Sequence, residues 1–157
     1  ILAHHVGHSV GVLDAPELLE ALDEVVVGLL VQVLGDRRGR PWLVAIRDPR
    51  GEGAAMHLPL SDEAISTSGD YERYFVEGDT RYHHIIQPST GEPAGGVHSA
   101  TVFGPDAVIT DALSTSVFVM GVDQGLRLIA TLPDYESIVI DAEGRIFYSD
   151  GLQTPSP

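Results

Sequence analysis

The segment from Asp106 to Gly121, Asp106-Ala107-Val108-Ile109-Thr110-Asp111-Ala112-Leu113-Ser114-Thr115-Ser116-Val117-Phe118-Val119-Met120-Gly121, carries a carboxylate, Asp111, and a hydroxyl, Thr115, on an otherwise largely apolar stretch. Residues at i and i+4 are neighbours on a helix surface, so these side chains offer paired hard oxygen ligands of the kind Mg²⁺ or Ca²⁺ takes. The alternative has Thr115 bonding back to a carbonyl of its own helix while Asp111 faces water. On an idealised helix Val108, Ala112, Thr115 and Val119 form one stripe and Ile109, Leu113, Ser116 and Met120 its neighbour. That places Asp111 and Thr115 at the border of the expected buried face.

Other polar clusters offer weaker chemistry. In Tyr82-His83-His84-Ile85-Ile86 the adjacent strand residues point to opposite faces, so at most one histidine lines a given pocket. The segment Ser66-Thr67-Ser68-Gly69-Asp70-Tyr71 reads either as a strand end running into an Asx or Ser turn, or as a pocket wall to which Tyr71 or Tyr74 presents a ring. His4-His5-Val6-Gly7-His8 has the i, i+4 histidine spacing of a zincin helix but lacks the Glu used there as base, and reads as surface histidines. Arg37, Arg38 and Arg40 form a dense basic patch of the kind found on solvated turns, one that an acidic acceptor protein could use.

Elements must position these groups. A helix is expected over about 15–25, begun by Asp14 and Pro16, and a buried strand over Val26 to Leu34. An exposed turn follows at Gly35 to Pro41. Strands are expected at Trp42 to Ile46, Ala55 to Leu60, Ala64 to Ser68, Tyr74 to Val76, and Arg81 to Ile86, the last two joined as a hairpin by Gly78-Asp79. A Pro- and Gly-containing loop, Gln87 to Gly96, leads to a strand at Val97 to Phe103. Asp106 or a neighbour caps the helix that carries Asp111. A second helix, about Gln124 to Leu132, and a hairpin of Ser137 to Ile140 with Arg145 to Tyr148 close the chain, before a frayed tail at Gln153 to Pro157. Strands followed by helices and a final hairpin imply an α+β fold, a largely antiparallel sheet with helices packed on one face.

Composition limits the partners. The 157 residues amount to about one domain. A formal charge of −14 opposes nucleic acid, whose backbone needs clustered Lys and Arg. No apolar run approaches the roughly 20 residues that span a bilayer, and the N-terminus lacks a signal-peptide pattern, so the chain reads as soluble. With no cysteine in the sequence, disulfides and thiolate chemistry are excluded.

Read together, Ile65 to Phe75, Tyr82 to Pro93 and Asp111-Ala112-Leu113-Ser114-Thr115 resemble three ordered motifs of the FAD:protein FMN transferases, the ApbE family once described as thiamine-biosynthesis lipoproteins. The resemblance runs from about Gly28 to Leu152 and includes Gly39-Arg40-Pro41-Trp42 and Asp48-Pro49-Arg50. It covers the C-terminal half of a typical member, which implies a truncated chain with residues 1–27 as an atypical segment and 28–152 as the ApbE-like region, half of a T-fold-like architecture. The family's reaction moves FMN from FAD to a Thr or Ser hydroxyl of an acceptor protein, with release of AMP.

Carried onto this sequence, the resemblance implies Asp111 and Thr115 as ligands of Mg²⁺ (or Ca²⁺). It implies His84 as the site histidine, in a catalytic or phosphate-orienting role, with His83 structural. Ile85 and Ile86 become the flanking wall, and Ser68 and Tyr71 part of the flavin or acceptor pocket. Two departures fall at the site: Leu29 and Leu30 stand where the family has Gly and Asp or Asn, and Gln87 follows His-Ile-Ile in place of Asp or Asn. The implied partners are FAD and a flavinylated acceptor, with a homodimer through an exposed strand edge as a further expectation. The implied location is the extracytoplasmic face of the bacterial membrane or the periplasm. The rival expectation is a noncatalytic module that binds flavin nucleotide or a protein partner.

Overall fold

The computed structural model describes residues 2–3, 25–27, 30–36 and 38–153, with side chains for 30–36 and 38–152. The strands are β1 (Leu2–Ala3), β2 (Val25–Val27), β3 (Leu30–Gln32), β4 (Trp42–Arg47), β5 (Ala54–Leu60), β6 (Ala64–Gly69), β7 (Tyr74–Glu77), β8 (Thr80–His83) and β9 (Val97–Gly104). Helix α1 (Ala107–Ile129) follows, then β10 (Glu136–Asp141), β11 (Ile146–Tyr148) and a short α2 (Asp150–Gln153). A six-stranded antiparallel sheet in the order β1-β3-β6-β9-β10-β11 forms the centre, beside a three-stranded sheet β2-β4-β5 and the β7–β8 hairpin. The fold is the α+β arrangement expected, with α1 packed across β6, β9 and β10.

Two apolar clusters sandwich the central sheet. Ile65, Phe103 and Ile138 on one face meet Val44, Ile46 and Leu60 of the three-stranded sheet. Ala100, Val102 and Val139 on the other meet Val117, Phe118 and Ile129 of α1. Phe118 is fully buried, and burying such a side chain contributes about 1.5–3 kcal/mol.

The register of β6 against β9 pairs Ile65 with Phe103, Ser66 with Val102, Thr67 with Thr101, and Ser68 with Ala100. Because side chains alternate across a strand, Ser66 and Ser68 share the face that looks at α1, where their hydroxyls need partners in the helix. Thr67 bonds Thr101 at 2.8 Å on the opposite face.

Several expectations are altered. The apolar run from Val26 to Leu34 is two strands in different sheets: β2 pairs β4 in parallel, and β3 pairs β6 antiparallel. A run interrupted only by Gly28 and Gln32 satisfies either sheet, so its pattern cannot mark where the pairing partner changes. Val25, expected at a helix end, lies in β2, and the remainder of the 15–25 helix lies outside the described residues.

The strand expected to reach Ile86 ends at His83. The next residues turn back on themselves, with Ala94 N–H donating to Ile85 O and Gln87 N–H to Glu92 O. Gln153 ends α2, while residues 154–157 and the His4–His8 cluster lie outside the described residues.

Helix α1 begins where Asp106, in an extended conformation, accepts hydrogen bonds from Val108 N–H and Ile109 N–H at 2.9 and 3.0 Å. It is broken at Gly121, whose φ of 78° and ψ of 176° separate the two helical stretches. The buried face is Thr110, Ser114, Val117 and Phe118, whereas Val108, Ile109 and Met120, expected within buried stripes, are exposed. With apolar residues on most sides of this helix, periodicity alone cannot choose a face. Close approach to the sheet selects small hydroxyl residues for its first turns. Among the described residues no helix is long and apolar enough to cross a membrane.

Candidate functional site

The site forms where β6 meets the N-terminal half of α1. Ser66 Oγ donates to Asp111 Oδ1 at 2.8 Å, and Ser68 Oγ lies 2.9 Å from Thr115 Oγ1 and 3.0 Å from Ser114 Oγ. Thr115 therefore faces the strand, and the residues that bond back into the helix are its neighbours, Ser114 to Asp111 O at 2.9 Å and Ser116 to Ala112 O at 2.8 Å. Asp111 and Thr115 are both exposed. Their oxygens are tethered from below and open to solvent above.

Thr115 and Ser68 line a cleft of about 670 Å³ together with His84, Ile85, Ile86, Pro88 and the α1 residues Ala112, Ser116, Val119 and Met120. Five expected site residues from three separate segments thus share one wall. Asp111 stands beside the cleft, one helical turn before Thr115, rather than on its lining.

The two histidines enter different surroundings, His83 at the end of β8 and His84 in the bend beyond it. His83 is buried, with Nε2 2.9 Å from Ala94 O and its ring edge-on to Phe118 at 5.5 Å. Burial pushes its pKa below the ordinary histidine range. His84 is exposed, with Nδ1 3.3 Å from Arg73 O. In the neutral tautomer whose Nδ1–H donates to that carbonyl, Nε2 carries the lone pair.

Tyr71 does not reach this cleft. Its ring lies against Gly69, where a Cβ would come within 2.5 Å of it, and the Arg47 guanidinium stands 5.6 Å from the ring centroid. Burial raises its pKa, and its hydroxyl is enclosed without a hydrogen-bond partner among the described residues. Tyr74 is likewise elsewhere, on the β7–β8 hairpin with Arg81 4.0 Å from its ring centroid. Of the basic patch, Arg38 and Arg40 are exposed on the expected turn and Arg37 lies outside the described residues.

A carboxylate and a hydroxyl, both hard oxygens on an open face, fit a divalent cation that completes its shell with water and phosphate oxygens. Among the described residues no three His, Cys, Asp or Glu side chains gather as a metal-binding group. Of the residues singled out from sequence, Asp111 and Thr115 are the pair that could offer oxygens to such an ion. Ser66, which bonds Asp111, and Ser114, which bonds Ser68, were not singled out individually from sequence. The signal lay in β6 alternation, which sets Ser66 on the same face as Ser68.

Fold and site together define an α+β protein whose helix-facing sheet surface builds an oxygen-rich junction beside an open cleft. The chain belongs to the ApbE family, whose profile matches residues 20–139. It is 42% identical over 118 residues to a FAD:protein FMN transferase of Rhodobacter capsulatus, covering 74% of this chain and 23% of that protein. A FAD:protein FMN transferase of Treponema pallidum is 40% identical over 114 residues, covering 71% of this chain and 32% of the relative. The crystal structure of the ApbE protein from Thermotoga maritima superposes with a TM-score of 0.74 at 40% identity, over 80% of this chain and 42% of that one. The flavin transferase ApbE from Vibrio cholerae gives 0.64 at 31% identity, over 81% and 42%. The chain thus spans about a quarter to a third of these curated relatives and under half of the solved structures.

Proposed function

We propose that this chain supplies the cation and histidine side of an FAD:protein FMN transferase, which moves FMN from FAD to a Thr or Ser hydroxyl of an acceptor protein. The observation that carries the reading is the convergence of Ser68, His84, Ile85, Ile86 and Thr115 on one cleft, with Asp111 tethered beside it. The family relatives named FAD:protein FMN transferase support it.

In the reaction the acceptor oxygen bonds to the FMN phosphorus, and the bond from that phosphorus to the bridging oxygen breaks. The bridging oxygen leaves on AMP. Asp111 and Thr115 would hold Mg²⁺ (or Ca²⁺), which supplies positive charge for the pyrophosphate oxygens. His84 takes the proton of the attacking hydroxyl or orients a phosphate oxygen. Ile85 and Ile86 offer apolar surface to a flavin ring, and Ser68 a hydroxyl at the same wall. Localisation at the extracytoplasmic face of a bacterial membrane follows from the family reading alone, and a homodimer rests on the general tendency of an exposed strand edge to pair.

A second reading, a noncatalytic module that binds flavin nucleotide or a protein partner, is favoured by one observation: among the described residues no three His, Cys, Asp or Glu side chains gather, and a single carboxylate with a hydroxyl holds Mg²⁺ weakly. The chain mixed with FAD, Mg²⁺ and a Thr-containing acceptor separates the two. Flavin fluorescence that survives a denaturing gel, with matching AMP release, supports the transferase. FAD binding with no labelled acceptor and no AMP supports the module.

A further inference from the structure

Between the two expected cation ligands runs an unbroken line of hydroxyls. Thr115 Oγ1 lies 2.9 Å from Ser68 Oγ, Ser68 Oγ 3.0 Å from Ser114 Oγ, Ser114 Oγ 3.3 Å from Ser66 Oγ, and Ser66 Oγ 2.8 Å from Asp111 Oδ1. Ser66 is 1% exposed and Ser114 is fully buried, so water does not complete their hydrogen bonds. Ser68, partly buried, joins them to the cleft wall.

Counting protons orients the line. Each hydroxyl has one proton to give, and an ionised carboxylate only accepts. Ser66 therefore donates to Asp111. The Ser114 proton has two acceptors, the Asp111 backbone carbonyl at 2.9 Å and Ser66 Oγ at 3.3 Å, and only the second continues the line to the Asp111 carboxylate. The Ser68 proton can go to either Ser114 or Thr115, which makes this link the reversible one. A hydroxyl that gives its lone pair to a cation must send its proton elsewhere. With a cation on Thr115, that residue donates to Ser68 and Ser68 to Ser114.

We infer that Ser66, Ser68 and Ser114 are positioning residues forming one directional hydroxyl chain, which holds Asp111 and Thr115 in register and whose proton sense is set when a divalent cation binds. The inference rests on the assignment of those two residues as cation ligands. The chain occupies one oxygen of Asp111 and leaves Oδ2 without a hydrogen-bond partner among the described residues. Aligned hydroxyl dipoles reinforce one another in a low-dielectric interface. Groups that orient a metal ligand typically change metal affinity by 10–100-fold when removed.

The test titrates Mn²⁺ alone into the protein, with the free ion read by electron paramagnetic resonance and folding checked by thermal melts. Ser66→Ala and Ser114→Ala are expected to weaken Mn²⁺ binding about tenfold. Ser68→Ala should do the same and Ser68→Thr should restore it. The double variant Ser66→Ala/Ser68→Ala should lose little more than either single one, because the chain is already cut. Ser99→Ala is the control, since Ser99 Oγ is equally buried but has no hydrogen-bond partner among the described residues.

If Asp111→Asn abolishes binding while the alanine variants at 66, 68 and 114 bind like the parent, the hydroxyl chain is wrong and the ligand assignment stands. Parent and Asp111→Asn proteins that bind Mn²⁺ alike, or not at all, overturn the assignment and the chain with it. Should Ser66→Ala fail to fold, the Ser68→Ala and Ser68→Thr pair at the cleft edge decides the matter.

Discussion

Arg50 holds Asp70 through two nitrogens, Nη1 to Oδ1 at 2.8 Å and Nη2 to Oδ2 at 2.5 Å, and so ties the loop after β4 to the end of β6. Asp70 is 6% exposed. Arg81 approaches its other side at 3.6 Å, and His98 Nδ1 lies 3.0 Å from Asp70 and 2.8 Å from Arg50 Nη2, a nitrogen that can donate to one or accept from the other but not both. The hydrogen bond to Asp70 raises the pKa of Arg50 above the ordinary arginine range.

Removing one partner of a fully buried pair costs about 3–5 kcal/mol. The Arg50 side chain is 39% exposed and Asp70 keeps two other partners, so Arg50→Ala is expected to cost about 2 kcal/mol. Arg50→Lys, which loses the two-pronged geometry, should fall between the two. Urea denaturation measures both, and an Arg50→Ala protein as stable as the parent would refute the structural role given to this pair.

His83 gives a pH dependence of known sign. Its folded pKa lies below the unfolded value near 6.5, so the unfolded chain binds the proton more readily. Stability is full above about pH 6.5 and declines as pH falls below it, by up to about 1 kcal/mol per pH unit from this group. His83→Gln, able to donate to Ala94 O but not to titrate, should flatten the fall in melting temperature between pH 7 and pH 5. Parallel curves for the two proteins would contradict the assignment.

Gly121 occupies a backbone region nearly confined to glycine, and a Cβ added there would meet no neighbouring atom within 4 Å. The cost of Gly121→Ala is therefore conformational, about 1–3 kcal/mol. Equilibrium unfolding should show that loss; an unchanged midpoint would mean that α1 can run straight through this position.

If the proposed transferase reading holds with His84 as general base, His84→Ala should lower acceptor flavinylation about 10²–10⁴-fold, the usual contribution of such a base. Its ring is exposed and makes one long contact to a backbone carbonyl, so the melting temperature should hold. Comparable labelling rates with and without the imidazole would remove His84 from the chemistry.

Much of the fold was legible because local rules decide it. The hairpin at Gly78-Asp79, the Asp106 cap and the closing β10–β11 hairpin are each set by residues close in sequence. The Asp111–Thr115 spacing was also legible, since helical periodicity alone makes them neighbours. The assignment of His83 as structural and His84 as the site histidine came from the family resemblance, because β8 ends at His83 and strand alternation does not reach His84.

What only the tertiary structure decided lies between elements. Nothing local reveals that the run after Val26 serves two sheets, that α1 buries Thr110 and Ser114 while exposing Val108 and Ile109, or that Tyr71 turns onto Gly69 and away from the cleft. The chain residues alone established which oxygens share a helix turn. The packing of that helix on β6 decided which hydroxyls meet them, because a hydrogen bond between residues 45 to 48 positions apart depends on register and interlayer distance, and no periodicity within either segment encodes those.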